Sequence, residues 1–193
     1  MLRLFARLLC TATPQVERHP DAEHLYVESI DLGDASGPRT VVSGLVKFMS
    51  ADELLGARVV CLCNLKPAAM RGVVSHAMVL AASDAEHTRV EVVTPPEGAV
   101  VGEAVTFEGY ANQPDEQLNP KKKVCDGARA FPFHAGCVRV GMPQPSRAGA
   151  QVWEAVQPDL RTDAACVASY RGLPFTTSAG VCRVASLAEG VIK

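Results

Sequence analysis

Apolar positions in the first half of this chain alternate with polar ones in short runs, the period of a half-buried β-strand. HLYVESIDLG alternates and stops at Gly33, before the polar run DASGPR. RTVVSGLV opens a second strand at Arg39, RVVCLCNL reads as a third, VVSHAMVLAAS as a fourth, TRVEVVTPP as a fifth and EAVTFEG as a sixth. Between the second and third, Ser50-Ala51-Asp52-Glu53 forms a capping box, which predicts a short helical turn through Leu55 ending at Gly56. KPAAMRG, between the third and fourth, reads as a loop bounded by Pro67 and Gly72. Short strands joined by turns, with little helix, predict a small barrel or sandwich.

The pattern changes near residue 111. ANQPDEQLNPKKK is polar and proline-broken, as in a linker, and residues 125–151 show no usable period. WEAVQPDL then reads as a short helix ended by Pro158, ACVASYRGLPF as strand, turn and strand, and GVCRVAS as one more strand. The N-terminus, MLRLFARLLCTATPQ, carries arginines and no acids. It fits either an organelle presequence or an ordinary strand or helix. Pro14 cannot donate to a ladder, so a strand here is expected to stop before it or to lie on an edge.

Composition narrows the classes. With 193 residues, 48% hydrophobic and 21% charged, the chain has the make-up of a globular protein. No apolar run approaches the roughly 18 residues of a membrane helix, so no membrane span is expected. The net charge of -2 means that any contact with nucleic acid must come from a local basic patch. Seven cysteines without a C-x-x-C pair point to reduced thiols in a cytoplasmic protein. Cys61 and Cys63, two apart in a strand, fall on one face and read as packing. No G-x-S-x-G, H-E-x-x-H or Walker loop is present, and the spacing of Cys125, His134 and Cys137 fits no standard zinc pattern. The expectation is a protein with no catalytic residues, metal or cofactor.

The stretch richest in chemistry is Asn64-Leu65-Lys66-Pro67-Ala68-Ala69-Met70-Arg71-Gly72, followed by Ser75. Asn64, Lys66, Arg71 and Ser75 offer donors suited to phosphate, sugar and base edges, and loops of small barrels border the face where nucleic acid lies. A hairpin loop with two solvated cations is the other reading of the same residues. Lys121, Lys122 and Lys123 form a second basic element, either a solvated run or part of the same patch.

Several stretches resemble the tRNA-binding domain of endothelial monocyte-activating polypeptide II and related aminoacyl-tRNA synthetase cofactors, which is also appended to some tyrosyl- and methionyl-tRNA synthetases. They are ERHPDAEHLYVESIDLGD, RTVVSGLV, NLKPAAMRGVVSHAMVLAAS, PPEGAVVGEAVTF, QLNPKKK, WEAVQPDL and VCRVASLAEGVIK. The resemblance implies a mainly β fold, a five-stranded OB barrel with a small C-terminal extension. It implies an atypical segment at 1–15, the barrel at 16–110, a basic linker at 111–124, an insertion at 125–151 and the extension packed on the barrel at 152–193. It further implies a cytoplasmic, non-enzymatic accessory protein that binds tRNA by shape rather than sequence and delivers it to aminoacyl-tRNA synthetases, within a multi-synthetase complex or outside one. Bacterial relatives are dimers, and the extension stands in for the second subunit, so a monomer is implied. Carried over residue by residue, the tRNA contacts are Ser43, Asn64, Lys66, Met70, Arg71 and Ser75, with Lys121, Lys122 and Lys123 nearby. A cytokine-like secreted polypeptide and a chaperone-like peptide binder are the other functions this fold carries.

The chain departs from that pattern in three places. Ala69 stands where the family often has lysine. The family's first strand, L-D-x-R-x-G, is replaced by ARLLCTATPQ, so residues 2–10 are expected either to occupy the barrel's first slot out of register or to stay outside the barrel as a helix. Residues 125–151 interrupt the match abruptly, as a retained intron or a lineage-specific loop would.

Overall fold

The computed structural model describes residues 2–3, 7–114, 116–117 and 156–193. Five strands form an antiparallel sheet: β1 (Leu8–Arg18), β2 (Tyr26–Asp31), β3 (Arg39–Ser43), β4 (Arg58–Leu62) and, beyond the intervening hairpin, Met78–Val79. Their order is β3, β2, β1, β4 and Met78–Val79. The edges then meet: the backbone N–H of His76 donates to the Thr40 carbonyl at 2.9 Å, and that of Val42 donates to Ser75 Oγ at 3.0 Å. The sheet is thus a nearly closed OB-like barrel, and the mainly β reading holds. Helix α1 (Ala51–Leu54) lies between β3 and β4, with both arms of the Ser50/Glu53 capping box in place and Leu54 buried.

The N-terminal expectation is overturned. β1 occupies the first slot as a strand, paired with β4 from Leu8 opposite Leu62 to Ala12 opposite Arg58, and with β2 from Gln15 opposite Ser29 to Arg18 opposite Tyr26. Pro14 does not stop it, because the register shifts between Ala12 and Gln15 and this bulge absorbs the residue that cannot donate. A barrel boundary at residue 16 would cut β1 in two.

The run Leu8-Leu9-Cys10 is apolar on both faces because β1 is covered on both sides. Leu9 points into the barrel with Tyr26, Ile30, Val41, Val59 and Cys61, whereas Leu8 and Cys10 join Val60 and Leu62 in a second core shared with the C-terminal segment. The barrel continues into that second core through β8 (Ala81–Ser83) and β9 (Val90–Val92); the C-terminal segment adds β10 (Leu160–Thr162), β11 (Ala168–Tyr170), β12 (Leu173–Pro174) and β13 (Val191–Ile192). Together they form a six-stranded sheet ordered β9-β8-β13-β10-β11-β12, in which Val191 pairs with Ser83 and Ile192 with Ala82. Phe107, Tyr110, Tyr170 and Phe175 interlock edge to face, with centroids 5.0 to 6.4 Å apart. Such pairs add about 0.5 to 1.5 kcal/mol each beyond area burial.

Two expected elements are shorter than read. EAVTFEG contributes isolated bridges, Ala104 to Leu9 and Thr106 to Thr176, rather than a strand. Of WEAVQPDL, the described residues show a 3-10 turn at Gln157–Asp159. Trp153, the lysines at 121–123 and the segment 125–151 lie outside the described residues. No helix among those described is long and apolar enough to cross a membrane.

Candidate nucleic-acid interface

The donor-rich stretch is a projecting hairpin rather than a loop. β5 (Ala68–Met70) pairs with β6 (Val73–Ser75), Ala68 opposite Ser75 and Met70 opposite Val73. Arg71 (φ 50°) and Gly72 (φ 93°) both take positive φ, as a two-residue hairpin turn of type I′ requires. Arginine has no intrinsic preference for that region, so the flanking pairing and glycine's freedom must hold it there. VVSHAMVLAAS, read as one strand, is three pieces: β6, β7 (Met78–Val79) and β8. The breaks fall where the chain changes partner. His76 turns to Thr40 on β3, and Leu80 donates to the Val60 carbonyl on β4.

Three contacts fix the hairpin to the barrel. Val73 packs against Ala22, Leu25 and Val42. Ser75 Oγ accepts from Val42 and donates to the Ala77 carbonyl. The His19 ring meets the Met70 carbonyl at 3.1 Å, while its other nitrogen accepts from the Asp21 backbone N–H at 3.1 Å. With Nδ1 an acceptor, the neutral ring carries its proton on Nε2 and donates it to Met70.

The six described residues carried over as tRNA contacts divide into two groups. Lys66, Met70 and Arg71 are exposed, and neither cation has an ion-pair partner among the described residues. Ser43, Asn64 and Ser75 are buried. Ser43 Oγ donates to Glu28 Oε1 at 2.5 Å, and Asn64 Oδ1 accepts the Arg7 backbone N–H at 2.8 Å. These three brace the ends of β3, β4 and β6, while Met70 and Arg71 face solvent from the hairpin and Lys66 from the segment leading into it. Ala69, also exposed, lies on the hairpin opposite Val74.

Glu28 escaped the sequence reading. It lies on the inward face of β2, 1% exposed, with no hydrogen-bond partner for Oε2 among the described residues. Burial pushes its carboxyl up to about 7, against a smaller opposing effect of the Ser43 hydroxyl. The alternation of HLYVESIDLG placed it on that face, but an acid on an inward position of a strand gives no signal of its own. Cys61 and Cys63 are buried free thiols in the barrel core, and burial raises both, Cys63 to about 12. Among the described residues, no cluster of His, Cys, Asp and Glu is arranged to hold a metal ion.

Residues 13–104 match the family described as "Putative tRNA binding domain". Over 192 residues, 99% of its length, the chain is 44% identical to mouse "Aminoacyl tRNA synthase complex-interacting multifunctional protein 1", of which it covers 51%. Over 179 residues, 93% of its length, it is 48% identical to rice "Probable methionine--tRNA ligase", of which it covers 19%. The solved C-terminal domain of Plasmodium vivax p43 superposes with a TM-score of 0.77 at 27% identity, covering 98% of this chain and 97% of that one. The barrel, residues 13–104, is thus similar to that tRNA-binding domain family. It spans about half the length of the mouse relative and about a fifth of the rice one.

Proposed function

We propose that this chain binds tRNA through the hairpin Ala68–Ser75 and the adjoining Lys66, and that it works beside aminoacyl-tRNA synthetases without catalysing a reaction itself. The observation that carries the reading is a pair of exposed cations with no ion-pair partner among the described residues, Arg71 at the turn of a hairpin braced to the barrel and Lys66 on the segment leading into it. Cations fixed on a rigid element meet phosphates at little ordering cost, and backbone contacts favour shape over sequence. Lys121, Lys122 and Lys123 belong to the same proposal as further phosphate contacts. The printed names of the mouse and rice relatives support synthetases as partners, and delivery of tRNA to them is part of the same proposal. An Arabidopsis relative named "Methionine--tRNA ligase, cytoplasmic", 46% identical, supports a cytoplasmic location.

We further propose that the chain is a monomer. The β8 edge is paired within the chain by β13, so it offers no open ladder to a second copy. Sedimentation giving a mass twice that of one chain would overturn this. Binding itself is tested by titrating the purified chain into labelled tRNA transcripts of several sequences. Comparable affinities across them, weakening with salt, are expected. Absence of binding, or preference for unfolded peptide with no competition by tRNA, would overturn the reading.

A further inference from the structure

A cavity of about 360 Å³ is lined by Arg18 at the end of β1, Tyr26 at the start of β2 and residues 46–51. Arg18, Lys47 and Phe48 line it as exposed side chains, and Phe48 keeps 36% of its surface in solvent. No carboxylate lines the cavity, and neither Arg18 nor Lys47 has an ion-pair partner among the described residues. An exposed aromatic sharing a cavity with two cations suits a ligand that is flat on one side and anionic on the other.

The turn that presents Phe48 is held firmly. The Phe48 and Met49 backbone N–H groups both donate to the Leu45 carbonyl, at 2.9 and 3.0 Å. The Tyr26 hydroxyl donates to the Met49 carbonyl at 3.0 Å, and the capping box of α1 follows at once. Arg18 is the neighbour in sequence of His19, whose ring reaches the Met70 carbonyl at the hairpin tip. The cavity and the hairpin are therefore joined through two adjacent residues and one hydrogen bond.

We infer that this cavity is a subsite for one unpaired nucleotide of the bound RNA, its base stacked on Phe48 and its phosphate met by Lys47 and Arg18. Single-stranded nucleotides are recognised in this manner, because every base has a face that stacks on an aromatic ring and carries a phosphate beside it. A base inside a duplex cannot reach such a site. The inference rests on the tRNA-binding reading above and adds the unpaired nucleotide as the recognised unit.

The test uses the full chain with two probes, a mixed-sequence single-stranded RNA oligonucleotide and a tRNA transcript, read by fluorescence anisotropy. Phe48→Ala is expected to weaken oligonucleotide binding roughly five- to a hundredfold, the range of one base–aromatic stack, and Phe48→Tyr to preserve it. Lys47→Ala should weaken it too and lower the salt dependence. Full oligonucleotide affinity in both Phe48→Ala and Lys47→Ala would overturn the subsite, even if Lys66→Ala with Arg71→Ala abolished tRNA binding. Failure of the unaltered chain to bind either RNA would overturn the proposed function and the subsite together. Equal losses in Phe48→Ala and Phe48→Tyr, with thermal stability unchanged, would show that stacking is not involved and would also overturn it.

Discussion

Glu28→Gln is expected to change the pH dependence of stability in a defined direction. The native carboxyl is held at about 7 against an ordinary 4.5, so ionising Glu28 in the folded protein costs more than ionising it in the unfolded chain. At about 1.4 kcal/mol per pH unit, the difference is roughly 3 kcal/mol. Below pH 4.5 both states hold the proton and there is no penalty. As the pH rises from 4.5 to 7 the unfolded chain releases its proton first, so the contribution of Glu28 to folding falls across this window and is flat above it. Glutamine keeps the shape and an oxygen for the Ser43 hydroxyl but cannot ionise. Its amide needs an acceptor that the carboxylate did not, an offset that is the same at every pH and so cancels. Urea unfolding of both proteins from pH 4.5 to 8 should show the stability difference moving towards the variant by up to roughly 3 kcal/mol. A difference that stays constant across that range would refute the reasoning, and with it the desolvation of Glu28.

Ala69→Lys adds a cation to the exposed face of the hairpin and should tighten tRNA binding, steepening its salt slope by about 0.7 to 0.9; an unchanged slope would mean this face does not meet phosphate. Ile192→Ala removes a fully buried side chain where β13 pairs with β8, and should cost about 2 to 5 kcal/mol in denaturant unfolding; a cost near zero would show that the barrel does not depend on its C-terminal strand. Gly33→Ala should also destabilise, since a Cβ there would lie 2.8 Å from the Gly102 Cα at a φ of +72°; an unchanged melting temperature would contradict that close approach.

Elements specified by neighbours in sequence were legible. The alternation in HLYVESIDLG gave β2, the capping box gave α1, and the Arg171-Gly172 turn gave β11 and β12. Features set by distant partners were not. Pro14 signals a strand break by its own chemistry, but the bulge that accommodates it depends on β2. The hydroxyls and amide of Ser43, Asn64 and Ser75 looked like donors for RNA. Their partners, Glu28, Arg7 and Val42, lie 15, 57 and 33 residues away, and only the closed barrel brings them together. Phe48 and Lys47 carried no periodic signal, because they lie in a turn between β3 and α1.

The central claim is that the hairpin cations meet RNA phosphates, and the most direct test is the dependence of tRNA affinity on salt. In a plot of log affinity against log salt, Lys66→Ala with Arg71→Ala should reduce both the affinity and the slope, the slope by about 0.7 to 0.9 for each phosphate no longer neutralised. An affinity and a slope equal to those of the unaltered chain would contradict the account.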